Sequence, residues 1–153
     1  MDVPDATNAE FSSEELLSQA QANATSLALA AIAYLKDRDL PTDEFFEFAG
    51  RRFAPGWEEL RGRSTEDVAR IAALNMVSVG GSLRSLSGDA NHAEVLIEGW
   101  PASEFLSELE VTQSESDALW HIFKPIMEYL GLRYTWQRHG EAVKMTLERE
   151  TPE

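Results

Sequence analysis

The chain has 153 residues, no cysteine and a formal net charge of −14 at pH 7. Without cysteine, disulfide bonds, thiolate-bound metal centres and cysteine nucleophiles are excluded. The negative charge argues against nucleic acid and against anionic membranes as partners, because both attract lysine and arginine. Apolar residues make up 43% of the chain, which is enough for a folded core.

The length predicts a single domain, over residues 12–149, between flexible tails at residues 1–11 and 150–153. Residues 1–10 are acidic and lack the basic segment of a signal peptide. The most apolar run, residues 27–35, is too short to span a bilayer. A cytoplasmic location in a bacterium-like cell is therefore expected, without a cofactor.

A long first helix is predicted from Ser12 to about Arg38. Ser12 and Glu15 have the spacing of a capping box, and Leu40-Pro41 ends the helix. One stripe of this helix is rich in leucine and alanine, and it consists of Leu16, Ala20, Leu27, Ala31 and Tyr34. Small residues let another helix approach closely. The stripe therefore indicates either ordinary packing on the core or a homodimer face.

A short second helix beginning at Thr42 contains four phenylalanines, which serve either as core plugs or as a lid over a ligand cavity. Four arginines stand close to it, namely Arg51, Arg52, Arg61 and Arg63. This group indicates either a site for a carboxylate or phosphate, or surface pairs with acids such as Glu58 and Glu59.

The third predicted helix opens at Ser64 and closes at Gly80-Gly81. Asn75 falls within the apolar face of this helix. A buried amide is costly when its hydrogen bonds are unmade. We therefore expect Asn75 to bond either the backbone or a ligand in a pocket.

The C-terminal half predicts two β-hairpins with helices between them. Residues 82–86 and 93–98 form the first hairpin, Trp100-Pro101 ends it, and residues 102–109 form a short helix. A longer amphipathic helix starts at Ser114 or Ser116 and ends at Gly131. Pro125 lacks the N–H that a helix interior needs, so a kink or break is predicted there.

The last hairpin carries alternating large apolar residues. Leu132, Tyr134 and Trp136 occupy one face of the first strand, and the second strand alternates in the same way. With His139-Gly140 as the turn, the predicted facing pairs are Trp136 with Val143, Tyr134 with Met145, Leu132 with Leu147, and Arg138 with Glu141.

No catalytic or phosphate-binding signature occurs in the sequence. Asp89, Asn91, His92 and Glu94 are clustered but fit no recognised ligand spacing, and no metal is expected. A surplus of aromatic residues remains, because Trp57, Trp100, Trp120 and Trp136 come from four different segments. They either line a cavity for a flat apolar ligand or fill the core.

From Thr65 to Glu148 the predicted order is helix, hairpin, aromatic-Pro, short helix, amphipathic helix, hairpin. This order resembles the 4-vinyl reductase domain and the L-2-amino-thiazoline-4-carboxylate hydrolase-like proteins, which are small α+β domains and often bind or sense ligands. The resemblance implies a pocket between helices and sheet. Those families commonly have Cys-Pro where this chain has Trp100-Pro101, so no cysteine-dependent role and no catalytic residue is carried over.

The predicted fold is α+β, with N-terminal helices packed on a small, mostly antiparallel sheet of two hairpins. The leading functional hypothesis is non-enzymatic binding or sensing of a small, mainly apolar ligand. The predicted ligand-binding residues are Asn75, Trp100, Trp120, Tyr134 and Trp136. The alternatives are a hydrolase-like enzyme acting on a small molecule, and a structural or interaction protein that forms a homodimer through the first helix.

Overall fold

A computed structural model describes residues 10–150, and most of both predicted tails, residues 1–9 and 151–153, lies outside the described residues. The α-helices in this part of the chain are α1 (Ser13–Asp37), α2 (Thr42–Phe53), α3 (Thr65–Ser78), α4 (Ser103–Leu109), α5 (Gln113–Ser116) and α6 (Phe123–Tyr129). Two 3-10 helices span Ala54–Leu60 and Asp117–Ile122. The strands are β1 (Ser82–Gly88), β2 (His92–Glu98), β3 (Leu132–His139) and β4 (Ala142–Arg149).

The four strands form one antiparallel sheet in the order β1-β2-β4-β3. The two predicted hairpins therefore join through β2 and β4, where Val95 faces Met145 and Ile97 faces Val143. Each of these four side chains is 1% exposed. Buried and more exposed positions alternate along β2, so one face of the sheet carries the core. The predicted α+β fold is confirmed.

The helices cover this buried face in two layers. α3 packs directly on β1 and β2, and α6 packs on β3. α2 lies on the Asp117–Ile122 helix and on α6, while α1 lies against α4 and also contacts α3. α1 and α2 therefore form an outer layer that packs on other helices.

Local hydrogen bonds start α1 and α3 where the sequence predicts. The Glu15 N–H donates to Ser12 Oγ at 3.0 Å, and the Asp67 N–H donates to Ser64 Oγ at 3.2 Å. At the end of α3 the chain turns at Gly80, whose φ is +109°, and the Gly81 N–H donates to the Met76 carbonyl at 2.9 Å. Glycine suits this left-handed position.

The predicted helix from Ser114 is instead three short segments. The cap is Thr112, which forms a capping box with Glu115, and α5 then gives way to the Asp117–Ile122 3-10 helix. The predicted break occurs in the turn before Pro125, because the 3-10 helix that contains His121 ends at Ile122 and α6 begins at Phe123. Pro125 falls in the first turn of α6, where a missing N–H costs little.

In the last hairpin, each residue of β3 faces a residue of β4 that lies two positions further along the chain than predicted. The turn is Gly140-Glu141, and Trp136 faces Met145 while Tyr134 faces Leu147. Gly140 has a φ of +62° and is the first residue of the turn, a position at which two-residue hairpins favour glycine. A shift of two residues keeps the inward face unchanged, since side chains alternate with a period of two.

Candidate functional site

Three of the predicted ligand-binding residues meet inside the core. Trp100 and Trp120 are 3% and 1% exposed, and their rings pack edge to face with centroids 6.4 Å apart. The Tyr134 hydroxyl donates to the Trp120 carbonyl at 2.7 Å. Burial raises the pKa of Tyr134 well above its ordinary value, so its hydroxyl stays protonated. These side chains contact one another closely, as in a packed aromatic core.

The two buried indole N–H groups differ in their partners. Trp100 Nε1 donates to Thr25 Oγ1 at 3.2 Å, and Thr25 Oγ1 donates to the Val79 carbonyl at 2.6 Å. These bonds connect α1 to the end of α3 and to the segment after β2. Trp120 Nε1 is buried without a hydrogen-bond partner among residues 10–150, which costs about 1–3 kcal/mol.

Asn75 lies outside this aromatic cluster. It is exposed, and its Nδ2 donates to the Ile71 carbonyl one turn earlier at 2.8 Å. The backbone hydrogen bond expected for Asn75 is therefore present, but the expectation that Asn75 is buried is wrong. Ala69 and Ala73 are buried against the core. Their small side chains let that side of α3 pack closely, so it is the side that is buried, and Asn75 lies outside it.

The fifth predicted residue, Trp136, lies in an open groove beside α2. One cavity of about 300 Å³ is lined by Glu47, His121, Lys124, Tyr134, Thr135 and Trp136. A neighbouring cavity of about 370 Å³ shares Glu47 and Lys124, and its lining also includes Arg51, Pro125, Glu128 and Tyr129. We call these two cavities together the α2 groove.

His121 lines the groove and lies close to two carboxylates of α2. Its Nε2 lies 3.5 Å from Asp43 Oδ2 and its Nδ1 lies 3.6 Å from Glu47 Oε1. The imidazole also packs edge to face against Trp136, with centroids 5.7 Å apart. The groove thus offers acidic, basic and aromatic groups to a small flat molecule. The alternative of a hydrolase-like enzyme stays a prediction.

Sequence reasoning missed the residues that surround His121. Asp43 and Glu47 stand one helical turn apart, so their carboxylates project from the same side of α2. The four-residue spacing of these two acids was the feature of the sequence that could have indicated a site on this side of α2. Nothing local to His121 indicates that it faces these carboxylates, because the contact depends on how α2 docks.

Gly50 determines how closely α2 docks beside the groove. A Cβ at this position would lie 2.1 Å from the Ile122 carbonyl oxygen and 2.6 Å from Pro125 Cγ. Both distances are shorter than any ordinary contact. Glycine therefore lets the backbone of α2 rest directly on the junction between the Asp117–Ile122 helix and α6.

The phenylalanines of α2 divide between the core and the surface. Phe46 is 4% exposed, as a core plug should be, whereas Phe45, Phe48 and Phe53 are 39%, 49% and 55% exposed. The prediction of a core-filling helix is thus confirmed for Phe46 alone. The Arg52 guanidinium lies over the Phe48 ring, 5.1 Å from its centroid.

Of the four clustered arginines, Arg61 forms a surface ion pair with an acid in the described residues, and a local turn accounts for the cluster at Asp89. Arg61 donates twice to Glu58 at 3.1 and 3.2 Å from Nε, and these bonds hold the pKa of Glu58 below its usual value. Asp89 Oδ1 accepts the N–H groups of Asn91 and His92 at 2.8 and 3.0 Å, which lowers the pKa of Asp89. Within residues 10–150, no three His, Asp or Glu side chains are placed to hold a metal ion.

α1 exposes one face opposite the face that it buries. Thr25, Leu29 and Ile32 are buried. The opposite side carries exposed residues at intervals of three and four, namely Leu16, Ala20, Asn23, Leu27, Ala30 and Tyr34. At about 100° per residue these six fall within an arc of about 80°. We call them the α1 stripe.

The largest side chains of the α1 stripe are apolar, and the stripe contains no charged residue. Leu27 is 73% exposed and Tyr34 is 55% exposed. No Asp, Glu, Lys or Arg occurs anywhere between Leu16 and Leu35. The stripe contains four of the five residues of the leucine- and alanine-rich stripe predicted from the sequence, and these four do not pack on the core.

No protein-family model matches the chain, and no curated protein matches it. The resemblance to 4-vinyl reductase-like domains stays a prediction. None of the helices described here has the length and apolar character required to cross a membrane.

Proposed function

We propose that the chain is an interaction protein that forms a homodimer through the α1 stripe. The observation that supports this proposal is a row of exposed side chains at heptad spacing on the side of α1 that faces away from the core. Alternating steps of three and four residues are the spacing by which two helices interlock. An exposed row of apolar side chains, interrupted by Asn23, suits an interaction surface.

A second copy of the chain is the partner that the charge distribution favours. Each copy has a net charge of −14, so two copies repel one another over most of their surfaces. The segment from Leu16 to Leu35 contains none of the 27 acidic residues. Along this segment two copies can touch with least repulsion. Ala20 and Ala30 also allow their helix backbones to approach closely.

Light scattering over a series of protein concentrations tests the homodimer. A monomer has a mass of 17.1 kDa, and we expect about twice that mass for the wild type. Leu27→Glu should be monomeric, because it places a carboxylate in the contact. Leu74→Glu is the matched control, since Leu74 is an exposed leucine of α3, at 60% exposure, outside the stripe. Circular dichroism checks that both variants fold.

The outcomes are distinct. A dimeric wild type and a dimeric Leu74→Glu variant, with a monomeric Leu27→Glu variant, support the proposal. A wild type that stays monomeric at every concentration refutes it. A Leu27→Glu variant that remains fully dimeric shows that another surface makes the contact.

Small-molecule binding in the α2 groove is a second candidate function. The observation in its favour is that Lys124, Arg51 and Glu128 line the groove close to Trp136 and Tyr129, while none of the three has an ion-pair partner within 4.0 Å in the described part of the chain. Charged groups of both signs beside aromatic rings suit a flat molecule that is itself charged. The groove thus favours a more polar ligand than the sequence predicted.

Nuclear magnetic resonance titrations with L-phenylalanine, benzoate and phenethylamine test this second function. The three probes share an aromatic ring and differ in charge. Binding should shift the backbone signals of Thr135 and Trp136, and the shifts should shrink in Lys124→Gln for probes that carry a carboxylate. Unchanged signals with all three probes at about millimolar concentration reject binding in the groove.

A further inference from the structure

We infer that the two copies of α1 pair antiparallel, so that the N-terminal half of each helix covers the C-terminal end of the other. This inference rests on the homodimer proposed above. It adds the orientation and the register of the contact. Three independent features of the chain support it: the positions of the exposed apolar side chains, the charges at the two ends of α1, and the symmetry of the α1 stripe.

The N-terminal end of α1 has little cover of its own. Every residue from position 11 to position 20 is exposed, whichever side of the helix it occupies. Phe11, Leu16 and Leu17 are among them, with 56%, 37% and 54% of their surface exposed. Within residues 10–150, the first turns of α1 therefore have little contact with other elements and carry exposed apolar side chains.

The opposite end of α1 presents a second exposed apolar group. Tyr34, Leu40 and Phe45 are 55%, 48% and 39% exposed, and the last two closely follow the end of α1 at Asp37. In an antiparallel pair, the exposed N-terminal end of each helix lies over the C-terminal end that carries Tyr34 in the other copy, and the same contact occurs twice. In a parallel pair, the two exposed N-terminal ends meet only one another.

The charges at the helix ends also favour the antiparallel orientation. Glu14 and Glu15 lie in the first turn of α1, while Lys36 lies in the last turn and Arg38 is the C-cap. A parallel pair brings the carboxylates of both copies together. An antiparallel pair separates these carboxylates and opposes the two helix dipoles. It brings the carboxylates to a neutral end of the partner, where Lys36 and Arg38 alternate with Asp37 and Asp39.

The α1 stripe is symmetric about position 25, and this symmetry defines the register. Leu16 and Tyr34 lie equally far on either side of this position, as do Ala20 and Ala30, and Asn23 and Leu27. A twofold axis at this level places Leu16 opposite the partner's Tyr34, and Ala20 opposite the partner's Ala30. Alanine then meets alanine, which brings the backbones close, and larger side chains meet at both ends.

Disulfide cross-linking tests the orientation, because the chain has no cysteine of its own. In the antiparallel register, two copies of position 20 are separated by ten residues, about 15 Å along the helix axis. A disulfide requires Cα atoms within about 7 Å. Ala20→Cys alone and Ala30→Cys alone should therefore not cross-link, whereas an equal mixture of the two proteins should form a covalent dimer on oxidation.

Each outcome separates this inference from the homodimer proposal. A covalent dimer found in the mixture alone supports the antiparallel pair. Cross-linking of Ala20→Cys alone and of Ala30→Cys alone shows a parallel pair, which overturns the inference and leaves the α1 homodimer standing. Light scattering under reducing conditions confirms that both variants still dimerise. If they do and no cross-link forms in any sample, the antiparallel register is refuted, and the oligomeric state of Leu27→Glu decides separately whether the dimer uses the α1 stripe.

Discussion

Gly50 is the single residue on which the docking of α2 depends most directly. An added Cβ would overlap the Ile122 carbonyl oxygen, at 2.1 Å, and Pro125 Cγ, at 2.6 Å. We expect Gly50→Ala to lower the free energy of unfolding by about 1–3 kcal/mol, as overpacking does. In the control Gly56→Ala the added Cβ meets nothing within 4 Å, so a change within about 0.5 kcal/mol is expected. Denaturant titrations of both variants measure the difference, and equal stabilities would contradict this account.

Tyr134 should make the folded state sensitive to alkaline pH. Burial raises its pKa well above the ordinary value of 10.0. Above about pH 10, the unfolded chain therefore loses a proton that the folded chain keeps. The stability contributed by neutral Tyr134 is complete below this pH and is lost as the pH rises towards the folded-state pKa, by up to about 1.4 kcal/mol per pH unit.

Two matched variants isolate this effect of Tyr134. Tyr134→Phe removes the titrating hydroxyl, together with its bond to the Trp120 carbonyl, and should flatten the alkaline dependence of stability. Tyr34→Phe changes a tyrosine that is 55% exposed and should retain that dependence. Denaturation between about pH 9 and pH 11 measures all three proteins. A slope that is unchanged in Tyr134→Phe would show that other groups cause it.

At the scale of elements, an ion pair connects β3 to the Asp117–Ile122 helix. Arg138 Nη2 and Nε donate to Asp117 Oδ1 at 2.6 and 2.8 Å, and the two side chains are 16% and 17% exposed. Asp117→Asn leaves the guanidinium partly buried without its countercharge. We expect a loss of about 2–3 kcal/mol, less than for a fully buried pair. Thermal denaturation measures the loss.

The pair between Arg133 and Glu148 provides the comparison for Asp117→Asn. Its side chains are 66% and 37% exposed, so solvent screens the charges. Glu148→Gln should therefore cost only about 0–1 kcal/mol. If Asp117→Asn costs no more than Glu148→Gln, the ion pair does not hold the 3-10 helix on β3.

At the scale of the whole molecule, net charge opposes the proposed homodimer. Each copy has a charge of −14, and the Debye length falls from about 10 Å at 0.1 M salt to about 3 Å at 1 M. Added salt should weaken the repulsion while leaving contacts along the uncharged α1 stripe intact. We therefore expect the dimer dissociation constant to decrease as sodium chloride is raised, and sedimentation equilibrium measures it. A dimer held mainly by ion pairs would dissociate instead.

Local rules were enough to predict much of the fold. Ser12 and Ser64 start α1 and α3 because a cap requires only a side chain and an amide three residues away. Alternation likewise placed the inward faces of β3 and β4. The predicted register of that hairpin was wrong, because either turn contains Gly140 and both turns preserve the alternation. Caps and periodicities act over a few residues, so they can be recognised in the sequence.

Tertiary packing decided the remaining features, including the contents of both candidate sites. α1 is apolar on two sides, so its pattern alone could not show whether Leu29 or Leu27 faces the core. Asn75 lies at the edge of an apolar sector, and the alanines beside it settled its exposure. His121 meets Asp43 and Glu47 through the docking of α2 at Gly50. These contacts join residues far apart in the chain, and they form only when several elements pack together, which no local pattern encodes.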